Sequence, residues 1–269
     1  MDLIKARIVP NMMDHHAIQL RIPVVIVVGL IATLSSCATI TRTEFVTSDR
    51  TSECVVLLHG LNRSWRAMDK MAEALQAEGF STANVDYPSQ QGRVEGLAPV
   101  AVNSGLDQCR LNGADKIHFV THSMGGILLR YAHGIDPIPE LGRVVMLGPP
   151  NQGSEVIDRT REWAITRTFS GEAGMQLGTD PDDIPAKLDP IDFELGIVAG
   201  TGTINPFMSA VLPEEDDGKV TVERTKVDGM SDFMIVGNSH ATLMKSNIVI
   251  ENTVAFLQNG QFLESESVD

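Results

Sequence analysis

Thr121-His122-Ser123-Met124-Gly125-Gly126 follows the apolar run Lys116-Ile117-His118-Phe119-Val120 and precedes the helix-forming Ile127-Leu128-Leu129-Arg130-Tyr131. A strand that ends in small-x-Ser-x-Gly and turns at once into a helix holds its serine on a strained backbone, with Oγ raised above the sheet. The chemistry such a serine performs is acyl transfer. Serine alone is a weak nucleophile, so the chain must also supply a base, an acid to orient it and N–H donors for the developing oxyanion.

Those groups converge only if the elements carrying them end on one side. Apolar, β-branched runs alternate with helix-period segments, which predicts an α/β fold with a mostly parallel sheet flanked by helices. Strands are expected at 54–58, 81–86, 116–121, 143–148, 195–200 and 233–237, and helices at about 65–78, 94–110, 124–133 and 241–257. The strands are continuous apolar runs, as burial on both faces requires. In the last helix Leu243, Met244, Ile248, Val249 and Phe256 form the expected core stripe. Residues 151–194 break the pattern with Gly171, Gly174, Gly178, Pro181, Pro185 and Pro190, and read as a small lid or cap. The domain is expected over 51–258, followed by an acidic, disordered tail at 259–269.

Hydrophobic residues make up 43% of the 269, enough for a sizeable core, and aromatics only 5%, so that core should be aliphatic. A net charge of -14 argues against a nucleic-acid partner, because phosphate binding needs clustered Lys and Arg. The acidity reads as solubility. The seven histidines show no metal-ligand spacing, and Gly200-Thr201-Gly202-Thr203 lacks the rest of a dinucleotide fingerprint. Neither metal nor cofactor is expected.

The uncharged run Ile22–Leu34, preceded by Arg21, is too short for a comfortable membrane span and suits a signal-peptide core. It ends in Leu34-Ser35-Ser36-Cys37, which resembles a bacterial lipobox whose cysteine becomes the lipidated first residue. Residues 1–36 then form the signal peptide and 37–50 a tether, giving a membrane-held envelope lipoprotein. A plain secreted or periplasmic protein and an uncleaved anchor are the alternatives, and Met12 or Met13 are alternative starts. With Cys37 acylated, Cys54 and Cys109 are left as a candidate disulfide in an oxidising compartment, near the end of the sheet away from the serine. Two buried thiols are the alternative.

Leu57-Leu58-His59-Gly60-Leu61, Thr121 to Gly126, Asp217-Gly218-Lys219-Val220 and Ser239-His240 together resemble the α/β-hydrolase superfamily, and within it bacterial lipase/esterase-like proteins with an HG oxyanion turn. The resemblance covers about 54 to 257. It departs at Thr121, which stands at the first glycine position of G-x-S-x-G and bears on how tightly helix and strand can pack. It implies His240, after the final strand, as general base, and Asp217 as the orienting acid, with Asp216 the adjacent competitor and Asp228 and Asp232 weaker ones. Backbone N–H groups of Leu61 and Met124 would form the oxyanion hole, with Gly60 and Gly125 allowing close approach and His59 bracing the loop. His122 is expected to point away from the nucleophile. Asp86 reads as structural, and Gly148 to Ser154 as a loop that could shape the acyl pocket. The implied activity is carboxylic ester hydrolysis on a small-molecule or lipid ester. An acyltransferase, a thioesterase or a non-catalytic binding lipoprotein on the same fold are the competing readings.

Overall fold

The structure, a computed structural model, describes residues 41–48, 51–203, 212 and 214–263. The apolar run, the lipobox with Cys37 and residues 264–269 lie outside these. Seven strands, β1 (Arg42–Val46), β2 (Glu53–Leu58), β3 (Ser81–Asp86), β4 (Lys116–His122), β5 (Leu141–Leu147), β6 (Leu195–Gly202) and β7 (Asp232–Ser239), form one sheet in the order β1-β3-β2-β4-β5-β6-β7. Strands β2 to β7 run parallel, and β1 pairs antiparallel to β3.

The apolar runs of β2, β4, β5 and β6 are buried on both faces, while β7, at the other edge, leaves Ile235 exposed. Val56 and Leu58 of β2 point into one layer, packed under α2 (Val94–Leu111) and α3 (Met124–Ile135). Val55 and Leu57 point into the other, under α1 (Asp69–Ala77) and a last helix at Asn247–Asn259. Each fully buried aliphatic side chain contributes about 1.5–3 kcal/mol, so these two layers are the main source of stability. Cys54 of β2 and Cys109 of α2 are joined as a disulfide with Cα atoms 5.8 Å apart, at the end of the sheet where the parallel strands begin.

Four local expectations are corrected. Residues 42–46, placed in the tether, are an edge strand. Arg42-Thr43-Glu44-Phe45-Val46 alternates between exposed and half-buried positions, so it carries no continuous apolar run. The expected helix at 65–78 is a 3-10 turn, Trp65–Ala67, followed by α1. The expected helix at 241–257 is likewise a 3-10 turn, Leu243–Lys245, then the helix from Asn247. The break rotates Ile248 out of the core stripe, leaving it 52% exposed. The tail is ordered through Leu263: the Phe262 ring packs on Phe256 and its N–H donates to Asp232 Oδ2 (2.7 Å), while the Leu263 N–H donates to Asn252 Oδ1 (2.9 Å).

The 151–194 excursion carries α4 (Glu155–Thr160), α5 (Ala164–Met175) and a 3-10 turn at Ile184–Lys187. Arg161 braces it by ion pairs to Asp158, Asp180 and Asp183. A one-turn helix, α6 (Val222–Thr225), and the last helix, α7, complete the order. Among the described residues no helix is long and apolar enough to cross a membrane.

The chain runs from β2 outward to β3 and then crosses back to β4 on the other side of β2. In parallel sheets such a reversal opens a crevice at the carboxyl ends of the strands. The ends of β2 and β4 meet there, with Leu58 paired to Thr121.

Candidate active site

Ser123 sits between β4 and α3 with φ 54° and ψ -123°. A non-glycine residue held there costs roughly 1–3 kcal/mol, and only tight surroundings maintain it. Gly125 lets α3 approach β2: a Cβ there would lie 2.7 Å from the Leu58 carbonyl oxygen and 3.0 Å from that of His59. Gly60 lets the turn after β2 close on the serine, since its Cβ would lie 2.7 Å from His122 Nδ1 and 3.0 Å from Ser123 Cβ. Thr121 fits because the space opposite is also glycine. A Cβ on Gly126 would come within 3.2 Å of Thr121 Oγ1.

A hydrogen-bond path runs outward from the serine. Ser123 Oγ lies 2.9 Å from His240 Nε2, and His240 Nδ1 lies 2.7 Å from Asp217 Oδ2. With Nδ1–H donating to the carboxylate, Nε2 presents its lone pair to the serine hydroxyl. Asp217 is nearly fully buried, and its second oxygen accepts the N–H groups of Lys219 (3.0 Å) and Val220 (2.9 Å). Its carbonyl accepts the His240 N–H (2.8 Å), which ties the two loops together. The turn that aims Asp217 passes through Gly218 at φ +93°. The competing acids are engaged elsewhere: Asp216 Oδ1 accepts the Gly218 N–H (2.6 Å), Asp232 holds Phe233 and Phe262, and Asp228 borders a separate depression.

His59 is fully buried and stacks on Tyr87, with ring centroids 4.2 Å apart. Its Nδ1–H donates to the Gly60 carbonyl (2.8 Å), and Nε2 accepts the Tyr87 N–H (3.3 Å). Burial pushes its pKa below the ordinary imidazole value. A neutral ring with both nitrogens occupied braces the turn and takes no part in proton transfer. Asp86 accepts the Trp65 N–H (3.2 Å), a structural contact.

The placement of His122 differs from expectation. It lines the same cleft as Ser123, and its ring lies 4.8 Å from that of His240. Its Nε2–H donates to the His240 carbonyl (2.9 Å), while Nδ1 is buried with no partner among the described residues. Burial, reinforced by the neighbouring His240, drives its pKa well down, so it stays neutral. It positions the backbone of His240. The sequence held one signal, a polar residue directly before the serine, but the direction of its side chain is set by the turn at Ser123.

Leu61 borders the cleft beside Ser123, and Met124 is the first residue of α3, so no helical carbonyl takes its N–H. The cleft measures about 560 Å3. Ser123 and His240 form its floor, Pro150 and Ser154 one edge, and Ile157, Trp163, Phe169 and Leu177 of the excursion its apolar wall. A larger depression of about 920 Å3, bordered by Gln90, Glu95 and Lys187, contains none of the three relay residues. His118 and His133 lie outside the site, against Glu53 and Asp192.

Several solved structures share this architecture. Lipase BlEst2 of Bacillus licheniformis in its mature form superposes with a TM-score of 0.63 at 19% identity, over 83% of this chain and 98% of that one. Its propeptide form gives 0.67 at 20% identity over 83% of this chain, which spans only 55% of that longer protein. Phospholipase PlaB of Legionella pneumophila gives 0.60 at 16% identity, over 80% of this chain and 61% of that one. A monoacylglycerol lipase of Paleococcus ferrophilus gives 0.53 at 18% identity, over 82% and 99%. No curated protein matches the chain in sequence. The alpha/beta hydrolase family matches residues 55–230, more than half of the chain. With a seven-stranded, mostly parallel sheet, a strained serine at the end of its central strand and that match, the chain belongs to the alpha/beta hydrolase family.

Proposed function

We propose that the protein is a serine hydrolase of carboxylic esters, with Ser123 as nucleophile, His240 as general base and Asp217 as the orienting acid. The observation that carries this reading is the unbroken path from Ser123 Oγ through both nitrogens of His240 to Asp217, opening into an apolar cleft. Names such as lipase and monoacylglycerol lipase among the similar structures agree with it.

His240 Nε2 takes the hydroxyl proton as Ser123 Oγ bonds to the ester carbonyl carbon. The carbonyl oxygen becomes an oxyanion, held by the N–H groups of Leu61 and Met124, the second at a helix N-terminus. The intermediate collapses, the C–O bond to the alcohol breaks, and the alcohol leaves with the proton from Nε2. Water then gives its proton to Nε2 and attacks the acyl-enzyme, and Ser123 regains its hydrogen as the acid departs. Asp217 keeps Nδ1 protonated throughout. We also propose that Cys37 is acylated and holds the enzyme at a bacterial envelope membrane. The disulfide fits an oxidising compartment.

A fluorophosphonate probe is expected to label the wild type and not Ser123→Ala, and p-nitrophenyl esters from C2 to C16 to be turned over. A folded wild type that takes no label would sink the enzyme reading. Labelling without turnover of any ester would move the activity to acyl transfer. Palmitate incorporation that is lost in Cys37→Ser tests the anchor.

A further inference from the structure

Arg63 and Lys219 stand at the rim of the cleft that holds Ser123 and His240. They arrive from two different loops, Arg63 just after the Gly60-Leu61 turn and Lys219 just after Asp217. Among the described residues neither side chain makes an ion pair or a hydrogen bond. Elsewhere Arg110, Lys116, Arg143, Arg161 and Arg224 are each paired with an acid. The chain carries 35 acidic residues against 21 basic ones, yet among the described residues no Asp or Glu lines this cleft. Lys219 remains open to solvent, and the protein around it still lowers its pKa by desolvation. The Asp217 charge opposes that shift, and the Arg63 charge adds to it. Two basic side chains thus border the nucleophile's cleft, with Asp217 behind Lys219 as the acid whose charge reaches it.

Val156, Ile157, Trp163, Ile165, Phe169 and Leu177 give the wall its apolar side chains, with Thr160, Thr166 and Ser170 among them. It suits the hydrocarbon of an acyl chain, which leaves the cationic rim for the other side of the ester. We propose that the cleft selects esters whose acyl part is apolar and whose alcohol part carries an anionic group, a phosphate or carboxylate, held by Arg63 and Lys219. This rests on the ester-hydrolase reading above and names its substrate class.

The test compares 1-hexanoylglycerol 3-phosphate with 1-hexanoylglycerol, which share acyl chain and scissile bond and differ in the charge. Short chains keep both monomeric, so attraction to a charged surface does not enter. The wild type should favour the phosphate by about tenfold or more in kcat/KM, mostly through KM, and the margin should shrink at about 0.5 M salt as screening shortens to a few ångström. Hexanoylglycerate, with a carboxylate, distinguishes the two anion types: equal preference marks a general anion site, and loss of preference marks phosphate. In Arg63→Gln/Lys219→Gln the preference should fall to about twofold or less, with each single variant intermediate and Arg63→Lys retaining most of it. Circular dichroism and melting curves establish that each variant folds. Equal kcat/KM for the two glycerol esters in the wild type, or a preference that survives in the folded single and double variants, overturns the proposal and leaves the esterase intact. Hydrolysis of neither ester overturns it as well, and fluorophosphonate labelling of Ser123 then tells whether the hydrolase reading has failed with it.

Discussion

Asp217 does two jobs with two oxygens: one takes the His240 Nδ1–H, and the other is fixed by the backbone of Lys219 and Val220. Replacing it by asparagine offers an N–H toward Nδ1 and turns the imidazole to the tautomer with its proton on Nε2. That ring cannot accept the serine proton. Asp217→Asn should therefore lower kcat by about 10^4-fold with the fold retained, measured on p-nitrophenyl butyrate. His122 acts one step further back, through its bond to the His240 carbonyl. His122→Leu removes that bond and should cost roughly tenfold to a hundredfold in kcat, because a small misplacement of the base is enough. A pre-steady-state burst that slows with steady-state turnover places the loss in acylation, and an unchanged kcat would contradict the positioning role. Ser123 stood out by the turn it occupies, and the family resemblance pointed to Asp217 and His240; the three lie within hydrogen-bond reach of one another. The choice of Asp217 over Asp216 depends on which carboxylate the turn at Gly218 aims inward. The inward swing of His122 depends on the backbone at Ser123. Neither is carried by composition or periodicity.

At the scale of elements, strands β2, β4, β5 and β6 were legible because burial on both faces leaves apolar runs. The edge strand β1 was not, since half of its residues face solvent and its pairing with β3 is long-range. The last helix was readable as a helix but not in its start, where the chain makes a 3-10 turn before Asn247. The disulfide ties β2 to α2 across a sequence separation of 55 residues. Closing a loop of that length restricts the unfolded chain by about 4 kcal/mol. Cys54→Ala/Cys109→Ala should accordingly melt lower by roughly 10 °C in calorimetry. Both sulfurs are fully buried, so reductant should act on the native protein only as fast as the protein opens. Rapid reduction without loss of structure would contradict that.

For the molecule as a whole, burial lowers the pKa of His59, His118 and His122 in the folded state. The unfolded chain then binds more protons than the native one as pH falls below the ordinary imidazole value of 6.5. The sign follows: stability is fully present above that value and is lost on acidification. Glu140, held low by its hydrogen bond to Arg110, adds a loss of the same sign below 4.5. Acidification also relieves the repulsion of a chain at -14, but that surface effect is largely screened at physiological salt. The melting temperature should be flat near pH 7 to 8 and fall from about 6.5 downward. A rise between pH 7 and 5 would show that surface repulsion dominates.

The direction of β1 has a consequence for supply. It runs against β3, so its first residue, Arg42, pairs with Asp86 at the edge where the parallel strands end and the reactive groups gather. The described chain thus enters the sheet on the side where the parallel strands end. Arg42 lies five positions after Cys37, a reach of at most about 18 Å. If Cys37 is acylated, as proposed above, the domain is confined to a membrane surface. Such an enzyme samples its esters in two dimensions, by lateral diffusion in the membrane that carries it, and its turnover follows surface density instead of bulk concentration.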